Sequence, residues 1–193
     1  MTGRIELVPL EEAQRLGREF GISDAQAGRS AFRMLAHHPD LAKHVYGLLT
    51  MLSTRNKLDK RLRELIIMRL AWMTGSEYAW FQHYRIATTL AGITPEEVVA
   101  VRDWRGSKLF SPADRAVLAA ADDTRERGRI SDAVWAECES ALKEPVLLIE
   151  MVLAIANWTL FSQLLQSLQV PLEPGGAAWP PDGKKPPAAE AAK

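Results

Sequence analysis

Cysteine occurs once among the 193 residues, at Cys138. That excludes an intramolecular disulfide and fits a reducing compartment. An excess of either charge is also missing, with 24 Lys and Arg against 24 Asp and Glu. A chain so balanced gives no electrostatic reason to expect nucleic acid or an anionic membrane as a partner. The longest apolar runs do not suggest a membrane span, and the polar N-terminal stretch does not read as a signal peptide. The expected location is cytoplasmic. No run alternates in the manner of a strand, and no glycine-rich phosphate loop is present. His37, His38 and His44 lack acidic or thiol companions at ligand spacing. No metal site is expected from them, and no motif calls for a cofactor.

What is there is helix. The 47% hydrophobic content suits one soluble domain able to bury a core unaided. Helices are expected over about 10–20, 25–36, 39–51, 59–73 and 76–91. Thr94-Pro95-Glu96-Glu97 has the form of a capping box with proline at the first helical position. Ser111-Pro112 and Ser131-Asp132 open two more helices, the first stopped by Gly128. Pro145 begins a long apolar helix reaching about Gln169. Its Val146, Leu147, Leu148, Ile149, Met151, Val152 and Leu153 run almost round the circumference, so burial on several sides is expected. Such a helix is either central to a bundle or part of a subunit interface. Six of the eleven prolines follow Val170, a composition that does not offset the entropy of ordering. The expected organisation is a helical extension at 1–34, a main domain at 35–170 and a mobile Pro/Gly/Ala-rich tail at 171–193.

The most specific stretch is Arg63-Glu64 followed by Gly75-Ser76-Glu77-Tyr78-Ala79-Trp80-Phe81-Gln82-His83. Thr74-Gly75 breaks two helices, because glycine readily takes the left-handed conformation that ends one. Ser76 is placed to cap the second helix, and Glu77 to complement its positive end. At ~1.5 Å per residue, Glu64 lies roughly 16 Å below the break and His83 roughly 12 Å beyond it. Antiparallel packing then allows Glu64 and His83 to meet.

This stretch resembles the carboxymuconolactone decarboxylase family, which includes AhpD-type alkyl hydroperoxidases. The likeness begins near Leu35-Ala36-His37-His38-Pro39-Asp40-Leu41 and runs through Leu62 to Arg69 and Ser76 to His83. It continues at Ala91-Gly92-Ile93-Thr94-Pro95-Glu96-Glu97, with a weaker echo at Val170-Pro171-Leu172-Glu173. The resemblance implies an all-α, AhpD-like helical bundle that forms a homo-oligomer, trimeric or a multiple of that. It also implies a proton relay at Glu64 and His83. In the peroxidase branch, the positions matching Ser76 and Ala79 hold a Cys-x-x-Cys pair. This chain keeps the relay and lacks both thiols, which argues against a dithiol cycle.

Each candidate has a plainer alternative. Glu64 is a general acid/base candidate if it points inward, or else a surface carboxylate pairing along the helix with Lys60, Arg61 or Arg63. His83, the natural proton carrier near neutral pH, is otherwise a packing histidine. Ser76 is a helix cap, or hydrogen-bonds a ligand from that cap. Glu77 and Tyr78 are expected at a pocket wall. Trp72, Trp80, Phe81 and Trp158 are core residues or the aromatic lining of an organic-ligand pocket. Arg63 and Arg69 flank the glutamate; Arg69 is a candidate partner for a substrate carboxylate, unless both are solvated. Cys138 reads as a packed thiol.

The reading that follows is a cofactor-independent, carboxymuconolactone decarboxylase-like lyase, decarboxylase or isomerase. Its expected partner is a small enolisable or lactone-type organic acid, with catalysis at His83 and Glu64 and substrate contacts from Ser76, Glu77, Tyr78, Trp80 and Arg69. The alternatives are an AhpD-like peroxidase and a non-catalytic ligand-binding oligomer.

Overall fold

Helix boundaries follow side-chain caps and glycine or proline breaks along residues 3–187, the residues that the computed structural model describes. Ten α-helices and no strand occur among them. The expected all-α architecture is the one observed.

The chain divides into two units. The first runs up to Asn56 and takes in Leu164–Gly176. It holds α1 (Leu10–Glu19), α2 (Asp24–Ala27), α3 (Ser30–Leu35) and α4 (Pro39–Thr50), the last continuing as a π-helical turn over Met51–Arg55. A single helix was expected over 25–36. The chain breaks there instead, because Arg29 is extended at ψ 143°. The new start is stabilised from a distance, the Glu173 carboxylate accepting from Ser30 N at 3.1 Å. Phe32 and Tyr46 meet edge to face in this unit's core, with ring centroids 4.8 Å apart.

The second unit is Lys57–Gln163 with the segment from Ala177. It contains α5 (Lys60–Thr74), α6 (Glu77–Leu90), α7 (Pro95–Ala100), a 3₁₀ segment at Val101–Gly106, α8 (Pro112–Arg127), α9 (Asp132–Leu142) and most of α10 (Pro145–Ser167). α5 packs on both α6 and α8, and α8 on α9. The start of α5 is fixed twice. Asp59 accepts from Arg61 N and Leu62 N, while Glu150 of α10 accepts from Lys57 N and Leu58 N at 2.7 Å each. Its end is a Schellman closure. Gly75 turns left-handed at φ 73°, and Ser76 N donates back to Ala71 O at 2.9 Å. Both Thr94 and Ser111 form the reciprocal capping boxes that the sequence suggested for the first of them.

α10 is buried along Met151, Ala154, Ile155, Trp158 and Phe161, while Ile149, Val152, Leu153 and Leu160 are exposed. Its 23 residues are long and apolar enough to cross a bilayer, yet half of the most apolar window is buried inside the fold. The expectation of a mobile tail needs correction. Its residues up to Gly176 belong to the first unit and those from Ala177 to the second. Trp179 is only 1% exposed, and it packs against Trp72 and Trp80 with centroids 6.0 and 5.9 Å away. Trp80 Nε1 donates to Pro180 O at 2.7 Å. Asp182 forms a two-pronged ion pair with Arg102 at 2.7 and 2.8 Å. Proline content argued for disorder; one buried indole and one bidentate pair outweigh it. The part of that tail at 188–193 lies outside the described residues.

Candidate active site

The α5–α6 hairpin brings Glu64 and His83 together as the spacing about Gly75 suggested. Glu64 is 1% exposed, flanked in sequence by Leu65, Ile66, Ile67 and Met68, all of them buried. Its Oε2 accepts from His83 Nδ1 at 2.7 Å across 19 positions of sequence. The second oxygen is held as well, with Arg63 Nε and Nη2 at 3.4 and 3.3 Å from Oε1. A carboxylate so deeply buried is tolerable only when both oxygens are partnered. Of the plainer pairings, the one with Arg63 is made, but in the buried interior and not at the surface. Arg61 is spent on Glu97 and Asp114.

The imidazole differs from its partner in access. The His83 side chain is 16% exposed, against 2% for that of Glu64. His83 therefore lies between a sealed carboxylate and the surface. Its other nitrogen, Nε2, accepts from Trp158 Nε1 at 3.1 Å. The two rings stand nearly perpendicular, at 82° with centroids 5.8 Å apart. Sequence alone allows Trp158 either a core or a pocket-lining place. Its contact with the site crosses 75 positions and leaves no spacing signal.

The remaining candidates separate. Ser76 occupies the N-cap position of α6 but makes no capping bond. Its Oγ is buried without a hydrogen-bond partner. The three hydroxyl residues that do cap, Ser23, Thr94 and Ser111, have ψ of 151°, 156° and 165°. Ser76, held by the Schellman closure, has ψ 90°. Tyr78 is buried and Glu77 half-buried on the first turn of α6. Trp80 is fully buried, its only ring donor engaged by Pro180.

Arg69 is not available to a substrate carboxylate. Its guanidinium forms a two-pronged pair with buried Asp122 and donates to Val101 O and Arg102 O. Asp122 also accepts from Trp104 Nε1. This network ties α5 to α8 and to the 3₁₀ segment, a structural task. Cys138 is fully buried, and burial pushes its thiol up to about 11. Among the described residues no group of His, Cys, Asp or Glu is placed to hold a metal ion. A groove of about 840 Å³ lined by Ser111, Arg115, Glu137 and Lys143 shares no residue with the Glu64–His83 site.

The arrangement is a sealed carboxylate orienting a partly accessible imidazole on a helical hairpin, within an all-α fold. Solved structures share that fold. A peroxidase-related protein with an AhpD core from Ralstonia eutropha superposes with a TM-score of 0.72 at 16% identity, covering 90% of this chain and 94% of that one. A peroxidase-related protein from Silicibacter sp. gives 0.70 at 14% identity, with 89% of each chain covered. The debrominase Bmp8 gives 0.66 at 19% identity, covering 95% of this chain and 89% of its own. No curated protein is significantly similar to the chain. Residues 39–123, from α4 to α8, match the carboxymuconolactone decarboxylase family. That match spans less than half of the chain, and the fold is the AhpD-like one.

Proposed function

We propose that the protein is a carboxymuconolactone decarboxylase-like enzyme, working by acid/base chemistry on a small enolisable or lactone-type organic acid. The observation that carries this reading is the 2.7 Å bond from His83 Nδ1 to sealed Glu64. It orients the ring and leaves Nε2 as the nitrogen that takes a proton from the substrate. Glu64 supports the charge that forms on the imidazole, the role of a general base's orienting partner. The proton then returns to the product-forming carbanion or to its leaving group, so no cofactor enters the step. Ser76 Oγ, buried without a partner, is the substrate contact retained from the hairpin.

A dithiol peroxidase cycle is disfavoured by Ser76 and Ala79 at the thiol positions and by burial of Cys138. A fold relative is a debrominase, so the fold is compatible with more than one chemistry. We also place the protein in the cytoplasm as a homo-oligomer, and assign the exposed stripe Ile149, Val152, Leu153 and Leu160 to the subunit contact.

The test is exchange of acidic carbon-bound protons in D₂O, followed by NMR across a panel of lactones and keto acids. A substrate should lose its proton signal with the native protein. His83→Ala should slow that exchange by roughly 10²–10⁴-fold. Equal exchange by a folded His83→Ala variant would remove the mechanism. Binding without exchange across the panel would put the non-catalytic oligomer in front.

A further inference from the structure

An indole N–H donates and never accepts. Trp158 Nε1 lies 3.1 Å from His83 Nε2, so that nitrogen carries a lone pair. A neutral imidazole must then carry its hydrogen on Nδ1, facing the Glu64 oxygen at 2.7 Å. Glu64 accepts, and the chain of donors runs in one direction from Trp158 through His83 to Glu64. We propose that Trp158 is a positioning residue for His83: it holds the imidazole as the Nδ1–H tautomer and covers Nε2 until a substrate displaces the indole. This rests on the acid/base reading of the site.

Two consequences follow for the reaction. The resting site has no free imidazole nitrogen, because both are hydrogen-bonded within the protein. A substrate therefore gains Nε2 only by replacing the Trp158 bond with its own acidic C–H or O–H. Once Nε2 holds that proton it is a donor facing a donor, and the indole cannot return. Proton uptake and the Trp158 bond exclude one another. Closure over the imidazole is thus coupled to the deprotonated half of the cycle.

The experiment is long-range ¹⁵N–¹H correlation NMR on the full chain, which reads the protonation and hydrogen bonding of each imidazole nitrogen. In the native protein, His83 should show protonated Nδ1 and unprotonated, hydrogen-bonded Nε2. Trp158→Phe keeps an aromatic ring in place and removes the N–H. Its Nε2 resonance should move toward that of an unbonded nitrogen. Diethylpyrocarbonate, which acylates unprotonated imidazole nitrogens, should modify His83 about tenfold faster in that variant, the factor equivalent to one ordinary hydrogen bond. A packing role alone leaves the Nε2 resonance where it is, whatever it does to reagent access. Native His83 protonated on Nε2 would overturn the proposal, whether or not the variant folds. So would an unchanged Nε2 resonance in folded Trp158→Phe. These outcomes are separate from the proton-exchange assay, whose failure would remove the catalytic reading and leave the tautomer as measured.

Discussion

Arg63 and Glu64 are sequence neighbours that share one buried site: Arg63 Nη2 lies 3.3 Å from Glu64 Oε1, while His83 holds the other oxygen. Neighbouring side chains on a helix normally point apart by about 100°. Here both are drawn to one small polar island in an apolar core. Removing the carboxylate breaks a buried charge pair. Glu64→Ala should therefore cost about 3–5 kcal/mol, whereas Glu64→Gln keeps the shape and one acceptor oxygen and should cost less. Urea unfolding of the two variants checks the order. Equal, small losses would mean that Arg63 is served by other groups.

The same pair sets the kinetic expectation. Glu64→Gln and His83→Ala should each slow proton exchange, and the double variant should be little worse than His83→Ala alone. Groups that act as a unit give non-additive losses. Additive effects in the assay would show two independent contributions instead.

Ser76→Ala separates two roles by the sign of a stability change. A serine that caps a helix is worth about 1 kcal/mol. A buried hydroxyl with no partner is instead a burden, and Ser76 Oγ has none. Thermal unfolding should show Ser76→Ala equal to or more stable than the native protein. A clear fall in melting temperature would restore the capping role.

Cys138 should be inert in the folded protein. Its thiol is pushed up to about 11, first by burial and then by Glu137 and Asp123. A reagent that consumes thiolate should therefore find almost none at pH 8 and react at full rate only after denaturation. Rapid labelling of the native protein would contradict this, as would reductant-dependent peroxide consumption lost in Cys138→Ser.

Acid should loosen the contact between Asp182 and Arg102. The hydrogen bond from Arg102 holds the Asp182 carboxyl well below the usual carboxylate range. Its folded pKa is depressed, so its stabilisation is present above the ordinary value near ~3.9 and is lost as pH falls below that. The Asp182 side chain is 44% exposed, which limits the effect to about 1 kcal/mol or less. Melting temperatures of native protein and Asp182→Asn should differ at pH 7 and converge toward pH 2. A constant difference would assign the variant's effect to something other than charge.

What could be read from sequence was what local geometry determines. The Glu64–His83 meeting follows from counting residues on either side of Gly75, and the caps at Thr94 and Ser111 from adjacent residue types. The role of Arg69 is not legible because its partner, Asp122, is 53 positions away, and nothing in the sequence of α5 announces it. Ser76 has the right identity for a cap but the wrong ψ, which the turn before it imposes. Composition failed at the tail because it averages over residues. Trp179 alone supplies the apolar anchor that the surrounding prolines lack.

Trp72, Trp80 and Trp179 place three indoles with centroids 5.4–6.0 Å apart, and the Arg102 guanidinium lies over two of them at 4.7 and 5.2 Å. At that spacing the electronic transitions of the rings couple, and a fixed mutual tilt gives the coupled bands opposite circular-dichroism signs. The third indole comes from a segment about 100 positions along the chain from the Trp80 that it touches. Seating of that segment is therefore written into the absorption of polarised light, readable without label or ligand while any of the variants above is being measured.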